Sequence, residues 1–285
     1  MLAGCLKSLC GVDYPDDRWE VIVVDDGSQQ SLQPVVSQYS GVLSLRLVSN
    51  ESASGPATVR NIGARLAKGD YLVFLDDDCC ATPHWLKCYA AGFRETQKNA
   101  LGGSSLSSTP EKAGARAWHH LVTFLYTHRR DAQDNVLIII SNNCAYEREV
   151  FFEIGGFDGT FPYAGSEDRD ISWRLLEHGY TQAHYAEAQV WHIQPHLSMI
   201  RYVMLQFKYG RSASQFRKRL NPVTTAQFSE RFGIRTRICT AFQLVGYSIH
   251  NRLSPVDAVV LFAGHMAHWL GTLYEDLTTV RIPSR

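Results

Sequence analysis

The chain has 285 residues, enough to bury a sizeable core as one large domain or as one domain with an appendage. Its 28 Lys and Arg balance 28 Asp and Glu, so no global charge points to nucleic acid. Seven cysteines without C-x-x-C or other metal-type spacing fit small core thiols in a reducing cytosol. No signal peptide is legible at the start. The longest apolar candidate for a membrane span, residues 256–274, is interrupted by Asp257, His265 and His268.

Residues 2–9 carry apolar side chains at helical spacing, and Tyr14-Pro-Asp-Asp17 is a turn. Residues 21–24 read as a strand within Glu20-Val-Ile-Val-Val-Asp-Asp-Gly-Ser28, an apolar run ending in paired Asp. A short helix over 33–39 and a strand over 43–48 follow. Ser54-Gly-Pro-Ala57 opens a helix that passes through Arg60 and stops at Gly69. Tyr71-Leu-Val-Phe-Leu-Asp-Asp-Asp78 then reads as a strand buried on both faces. Its carboxylates fall at the C-terminal edge of the sheet, where open α/β folds bind ligands. Asp76 and Asp78 point the same way along this extended segment, because alternate residues do. Three adjacent carboxylates repel one another, so they need solvent or a cation among them; a solvated acidic turn is the plainer alternative.

Residues 83–94 predict a helix, and the Gly- and Ser-rich stretch 102–114 a mobile loop. Residues 136–140 predict a strand leading to Ser141-Asn-Asn143, and 147–154 a helix closed by Gly155-Gly156. A further acidic cluster, Gly165-Ser-Glu-Asp-Arg-Asp170, precedes a short helix over 171–178. Ala188-Gln-Val-Trp-His192 is an apolar run ending in histidine. The alternation of strands and helices argues for a parallel α/β sheet. Helical stretches over 197–220, 224–232, 237–252 and 255–277 then form an appendage. Between Arg201 and Arg237 nine Lys and Arg stand against Glu230 alone, as a solvated helix face or a contact for phosphates or anionic lipid. Amphipathic segments after a basic stretch suit either a peripheral membrane contact or packing and a homodimer interface.

Taken in order, these clusters resemble the family 2 glycosyltransferases. The matching pieces are Glu20 to Ser28, Gly55-Pro-Ala-Thr-Val-Arg-Asn-Ile-Gly63, Gly69 to Asp78, Ser141-Asn-Asn143, Ile154-Gly-Gly-Phe-Asp158, Glu167-Asp-Arg-Asp-Ile-Ser-Trp-Arg174, Val190-Trp-His192 and Gln206-Phe-Lys-Tyr-Gly-Arg211. The resemblance covers roughly residues 2–211. It implies an α/β GT-A fold, a Rossmann-like sheet for nucleotide-diphosphate sugars, over residues 1–196, with residues 197–285 as a helical C-terminal region. Members begin with a strand of the type Val-Ile-Pro-Thr-Tyr-Asn before the first helix, and this sequence starts after that point.

The implied activity is metal-dependent, inverting transfer of a sugar from a nucleotide diphosphate sugar, UDP favoured, to an acceptor hydroxyl. Asp168 is the implied general base, with Glu167 raising its proton affinity. Asp78, His192 and Asp76 are the implied ligands of Mn²⁺ or Mg²⁺. Asp76 and Asp77 alternatively bind the donor's ribose and sugar, Asp26 its base, and Arg60 its base or phosphate. Arg211 is a residue that closes over the diphosphate. Asn143, Trp173 and Glu167 line the acceptor side, with structural roles open for the first two. Plainer readings stand beside these: a satisfied core histidine at 192, a surface arginine at 60, and acids at 167, 168 and 170 that load a helix N-terminus. The rival functions are an impaired sugar-nucleotide-binding or scaffold protein lacking the first strand, a receiver-like phosphoacceptor and a nucleotidyltransferase. The expected location is the cytoplasm, or peripheral at the inner face of the membrane.

Overall fold

The computed structural model describes residues 1–50, 53–161, 165–194, 196–220 and 234–278. In chain order the elements are α1 (Leu2–Leu9), a 3₁₀ turn (Asp16–Arg18), β1 (Val21–Asp25), α2 (Gln33–Val36), β2 (Leu45–Ser49), α3 (Pro56–Leu66), β3 (Tyr71–Leu75), β4 (Cys79–Ala81), α4 (Trp85–Thr96), β5 (Ala100–Ser107) and α5 (Ala113–His128). They continue with β6 (Asn143–Glu147), α6 (Arg148–Glu153), α7 (Glu167–Glu177), β7 (Gln182–His192), α8 (Met199–Arg219), α9 (Ile234–His250) and α10 (Pro255–Thr278). The helix expected over 224–232 lies outside the described residues. Two compact units form. The first holds Met1–Ser108, Leu125–Thr160 and Glu167–Gln194; the second holds Thr109–Phe124, Phe161–Ser166 and Pro195–Arg285.

In the first unit β1 and β2 pair in parallel as a two-stranded sheet, and a five-stranded sheet runs in the order β3-β6-β5-β7-β4. The larger sheet is mixed, not parallel as the alternation of elements suggested. β6 runs antiparallel to β3 and β5, β4 runs antiparallel to β7, and β5 and β7 are parallel. β3 and β4, joined by the short acidic turn, do not pair with each other but lie at opposite edges of the sheet. Strand direction is set by pairing with distant segments, which the local alternation of elements does not encode. The core on one face gathers Leu6 and Leu9 of α1, Trp85 and Phe93 of α4, Leu101 of β5 and Val190 of β7. α3 packs against β1, where Gly63 lies under Val24.

Three further expectations are corrected. The Gly- and Ser-rich stretch after residue 100 is not a mobile loop through Gly102 to Ser107, because β5 runs through the middle of the sheet. Its glycines serve close approach: a Cβ on Gly103 would lie 2.2 Å from the Ala188 carbonyl oxygen of β7. Residues 136–140 are buried at Val136 and Ile139 but form no strand beyond an isolated bridge from Val136 to Arg130. Side chains satisfy their backbone instead. Ser172 Oγ accepts from Ile139 N at 2.9 Å, and Tyr126 OH accepts from Ile140 N at 3.0 Å. Finally, β3 is an edge strand of its sheet, with Leu72 buried and Tyr71 exposed, rather than a strand covered on both faces.

In the second unit α8 and α10 lie against each other. A Cβ on Gly210 would meet the His268 carbonyl oxygen at 1.9 Å, and one on Gly271 the Phe207 carbonyl oxygen at 2.0 Å, so glycine permits this approach. Phe124, Leu244, Tyr247 and Leu261 form a small apolar cluster that ties α9 to α10. α10 is long and apolar enough to cross a bilayer by length and composition, and 39% of its most apolar stretch is buried inside the protein.

Candidate active site

The site is assembled in the first unit from five elements, the ends of β1, β3 and β7 and the N-terminal turns of α3 and α7. After β1, both oxygens of the Asp26 carboxylate accept backbone N–H groups, from Ser54 at 2.8 Å and Gly55 at 2.8 Å. Asn50 Nδ2 adds a third donor at 3.1 Å. Burial works against the charge of Asp26, but these donors outweigh it and hold the carboxyl below its usual range. Asp26 therefore sets the start of α3, where Gly55 has φ 87° and Pro56 opens the helix. α3 in turn carries Arg60.

Arg60 is the hub. Its Nη2 lies 2.8 Å from Asp76 Oδ1, its Nη1 3.5 Å from Glu167 Oε1, and its guanidinium 5.5 Å from the centre of the Phe157 ring. Burial disfavours its charge, yet Asp76, Asp168 and Glu167 keep it firmly cationic. Two acidic clusters some ninety residues apart in the sequence thus share one cation. Asp168, in the first turn of α7, is buried, and its Oδ1 has no hydrogen-bond partner among the described residues. Burial first and repulsion from Glu167 second push its carboxyl up to about 7, against the pull of Arg60 and Ser141. A carboxylate poised near neutrality is suited to taking a proton. Asp170 lies apart from this cluster, paired with Arg174 at 2.6 Å; the same guanidinium donates to the carbonyls of Ile154 and Gly156.

The acidic run 76–78 is not extended. Cys79 N donates to the Asp76 carbonyl at 3.0 Å and closes a tight turn. The carboxylates of Asp76 and Asp78 therefore diverge, to Arg60 and to His192, instead of pointing the same way. Asp78 Oδ2 lies 3.2 Å from His192 Nε2, and this contact outweighs burial and holds the Asp78 carboxyl below its usual range. Asp77 is exposed; desolvation and repulsion from Asp78 and Asp76 raise its carboxyl. Asp78, Cys79 and His192 form a group able to hold a metal ion, their ligand atoms all within 4.8 Å of one another. Carboxylate and imidazole donors fit Mn²⁺ or Mg²⁺. Cys79 was missed in the sequence because its spacing matches no metal motif; its signal is its place next to the last Asp of the run.

Two of the expected site residues, Asn143 and Trp173, are core side chains, and a third, Arg211, stands in the second unit. Asn143 is 0% exposed and fully engaged. Its Oδ1 accepts from Trp85 Nε1 at 2.9 Å and Tyr89 OH at 2.8 Å, while its Nδ2 donates to the carbonyls of Ser104 and Ala188. It braces α4, β5 and β7 against β6 and is not presented to an acceptor. Asn143→Ala should lower stability by about 1–3 kcal/mol for each buried group it orphans, read as a fall in chemical-denaturation midpoint. Unchanged stability would show that the amide carries no structural load. Trp173 is 5% exposed, a core side chain without a free ring face for a sugar. Arg211 belongs to the second unit, where its Nε lies 2.7 Å from Glu275 Oε2 and its guanidinium sits over Tyr274.

The profile of the family described as Glycosyl transferase family 2 matches residues 1–155, more than half of the chain. Hyaluronan synthase of Pasteurella multocida is 31% identical over 199 residues, covering 58% of this chain and 20% of that protein. Chondroitin synthase of Escherichia coli is 26% identical, covering 68% and 33%, and glycosyltransferase AglE of Haloferax volcanii 26% identical, covering 62% and 57%. The chain thus spans between a fifth and 57% of the length of these curated relatives. Among solved structures, a mannosyltransferase from Pyrobaculum calidifontis in complex with GDP-Man and Mn²⁺ superposes with TM-score 0.67 at 16% identity, covering 96% of this chain and 83% of its own. Staphylococcus aureus TarS 1–349 in complex with UDP superposes with TM-score 0.55 at 16% identity, covering 98% and 89%.

Proposed function

The chain belongs to glycosyl transferase family 2 and has the GT-A fold, and from that premise we propose that it is a metal-dependent inverting glycosyltransferase acting on a nucleotide diphosphate sugar. The observation that carries this reading is the Arg60 hub, which joins Asp76 of the acidic turn to Glu167 beside the buried Asp168. Donor binding falls to Asp26, Arg60, Asp76 and Asp77. Asp78 and His192 hold Mn²⁺ or Mg²⁺, which when bound offsets the charge of the departing diphosphate. Asp168 takes the proton of the acceptor hydroxyl as its oxygen attacks the anomeric carbon, and the glycosidic bond to the diphosphate breaks on the opposite side. Arg60, as the counterion of Asp76 and Glu167, keeps this acidic site from repelling a phosphate. A UDP-sugar is the favoured donor, in keeping with the UDP held by the TarS neighbour, although the mannosyltransferase neighbour holds GDP-Man. Catalysis lies in residues 1–196, with 197–285 as a helical region.

Incubation with a panel of nucleotide sugars and glycan acceptors tests this reading. The expected result is release of nucleoside diphosphate and a product of inverted anomeric configuration by proton NMR. Retained configuration would overturn direct displacement, pyrophosphate release would identify a nucleotidyltransferase, and donor binding without turnover would leave a sugar-nucleotide-binding protein.

We further propose peripheral contact with a membrane, on the cytoplasmic side, through the C-terminal helices. Ile238, Phe242, Val245 and Ile249 are exposed at i, i+4, i+7 and i+11, a single apolar stripe along α9. Part of the basic stretch is already committed: Arg211 pairs with Glu275 and Arg217 with Asp276. Apolar insertion then supplies most of the binding, and the salt dependence is modest. The protein should float with anionic vesicles, and Phe242→Asp with Ile249→Asp should release it. A protein that stays at the bottom of the gradient at low salt excludes the contact, and a homodimer by light scattering assigns the stripe to a second copy.

A further inference from the structure

Cys79 has no part in the mechanism above, yet it is fully buried beside both proposed cation ligands. Its Sγ lies 3.7 Å from Asp78 Oδ1, and Asp78 Oδ2 lies 3.2 Å from His192 Nε2. The backbone sets this up, because the antiparallel register of β4 and β7 places Cys79 opposite His192. One amide serves both side chains: Asn142 Nδ2 is 3.8 Å from Cys79 Sγ and 3.4 Å from His192 Nδ1. Asn142 is itself buried and held through its Oδ1 by Ser105 Oγ at 3.2 Å. Such outer contacts orient metal ligands. The 3.7 Å contact is that of a thiol hydrogen bond to the carboxylate, so sulfur and oxygen already face each other across the place of a single proton.

We propose that Cys79 is a third protein ligand of the divalent-cation site, which makes the site prefer borderline-soft ions such as Zn²⁺ and Co²⁺ over Mg²⁺. The inference rests on the reading of Asp78 and His192 as the cation site. As the metal–sulfur bond forms, the thiol proton passes to solvent and no oxidation state changes. Thiolate sulfur favours softer ions, whereas an all-oxygen site favours Mg²⁺ and Mn²⁺. Cys80, the next residue, serves as the control, since its sulfur lies toward Gly4 of α1 instead.

Co²⁺ titration of the reduced full chain is the test. The expected result is a near-ultraviolet sulfur-to-cobalt charge-transfer band in the wild type and in Cys80→Ser. In Cys79→Ser that band is lost while the visible cobalt bands remain. Zn²⁺ affinity in Cys79→Ser should fall by at least the roughly 10- to 100-fold that follows loss of outer-shell partners, with Mg²⁺ affinity nearly unchanged. Visible cobalt bands without charge transfer in the wild type overturn the Cys79 assignment and leave the Asp78 and His192 site intact. A charge-transfer band that survives Cys79→Ser overturns it as well. No bound metal by equilibrium dialysis, with Co²⁺ or with Mn²⁺, overturns both the assignment and the reading beneath it. If Cys79→Ser does not fold by circular dichroism, X-ray absorption on the wild type with Zn²⁺ decides. A sulfur shell at about 2.3 Å supports the ligand, and a shell of nitrogen and oxygen alone rejects it.

Discussion

Asp168→Asn should bind donor and metal nearly as well as the wild type and lose transfer by about 10²- to 10⁴-fold, the range for removing a general base. The amide keeps the shape and the helix position and cannot take a proton. Asp168 also gives the wild type a pH signature. Its carboxyl is pushed up to about 7 from a usual 3.8, by burial and by Glu167, so kcat/KM should fall on the acid side of about pH 7 as the base becomes protonated. The stability consequence has the opposite sense. A carboxyl whose folded pKa is raised adds stability below the unfolded value, and that contribution is lost as pH rises from about 4 to about 7. Asp168→Asn should therefore be more stable than the wild type at pH 8, with the difference shrinking toward pH 5. Normal turnover in the variant would move the base elsewhere, with Glu167 next. Loss of donor binding would assign Asp168 to the donor site or to the fold.

Chelation of divalent cations should abolish transfer, and Asp78→Ala or His192→Ala should lower kcat by about 10²- to 10³-fold, the range for losing one preorganised electrostatic contact. The two side chains are already in contact at 3.2 Å, so either substitution removes half of the carboxylate–imidazole pair. Calorimetric titration with Mn²⁺ should show weakened binding in both variants, while Asp76→Asn, which lies against Arg60, should bind Mn²⁺ more nearly as the wild type does. The two experiments separate metal binding from donor binding. Full turnover in excess EDTA would refute the metal assignment. Equal loss of Mn²⁺ in Asp76→Asn would return Asp76 to the metal and undo the division of the acidic turn described above.

Much of the site was legible in the sequence because its chemistry sits at the ends of elements with strong local signals. Apolar runs broken by Asp25-Asp26, by Asp76 to Asp78 and by His192 announce strand ends, and Gly55-Pro56 announces the start of the helix that carries Arg60. Buried asparagine and tryptophan carry no such signal. Asn143 and Trp173 look like site residues because amides and indoles often serve sugars, but only packing reveals that one satisfies four partners inside the sheet and the other fills the core.

Taken alone, the sequence determined the family, the α/β character of the first unit, most of its elements and the titratable groups from which a candidate site is built. Those features follow from local periodicity and from motifs whose order along the chain is itself informative. Strand direction, the centre and edge of the sheet, and the partners of each charge were decided by tertiary structure. Antiparallel pairing of β6, the strand formed by Gly102 and Gly103, and the split of Asp76 and Asp78 between Arg60 and His192 all depend on residues far away in the chain. Hydrogen-bond ladders and ion pairs are made between such distant segments, and the energy that selects among them resides in contacts absent from any local window.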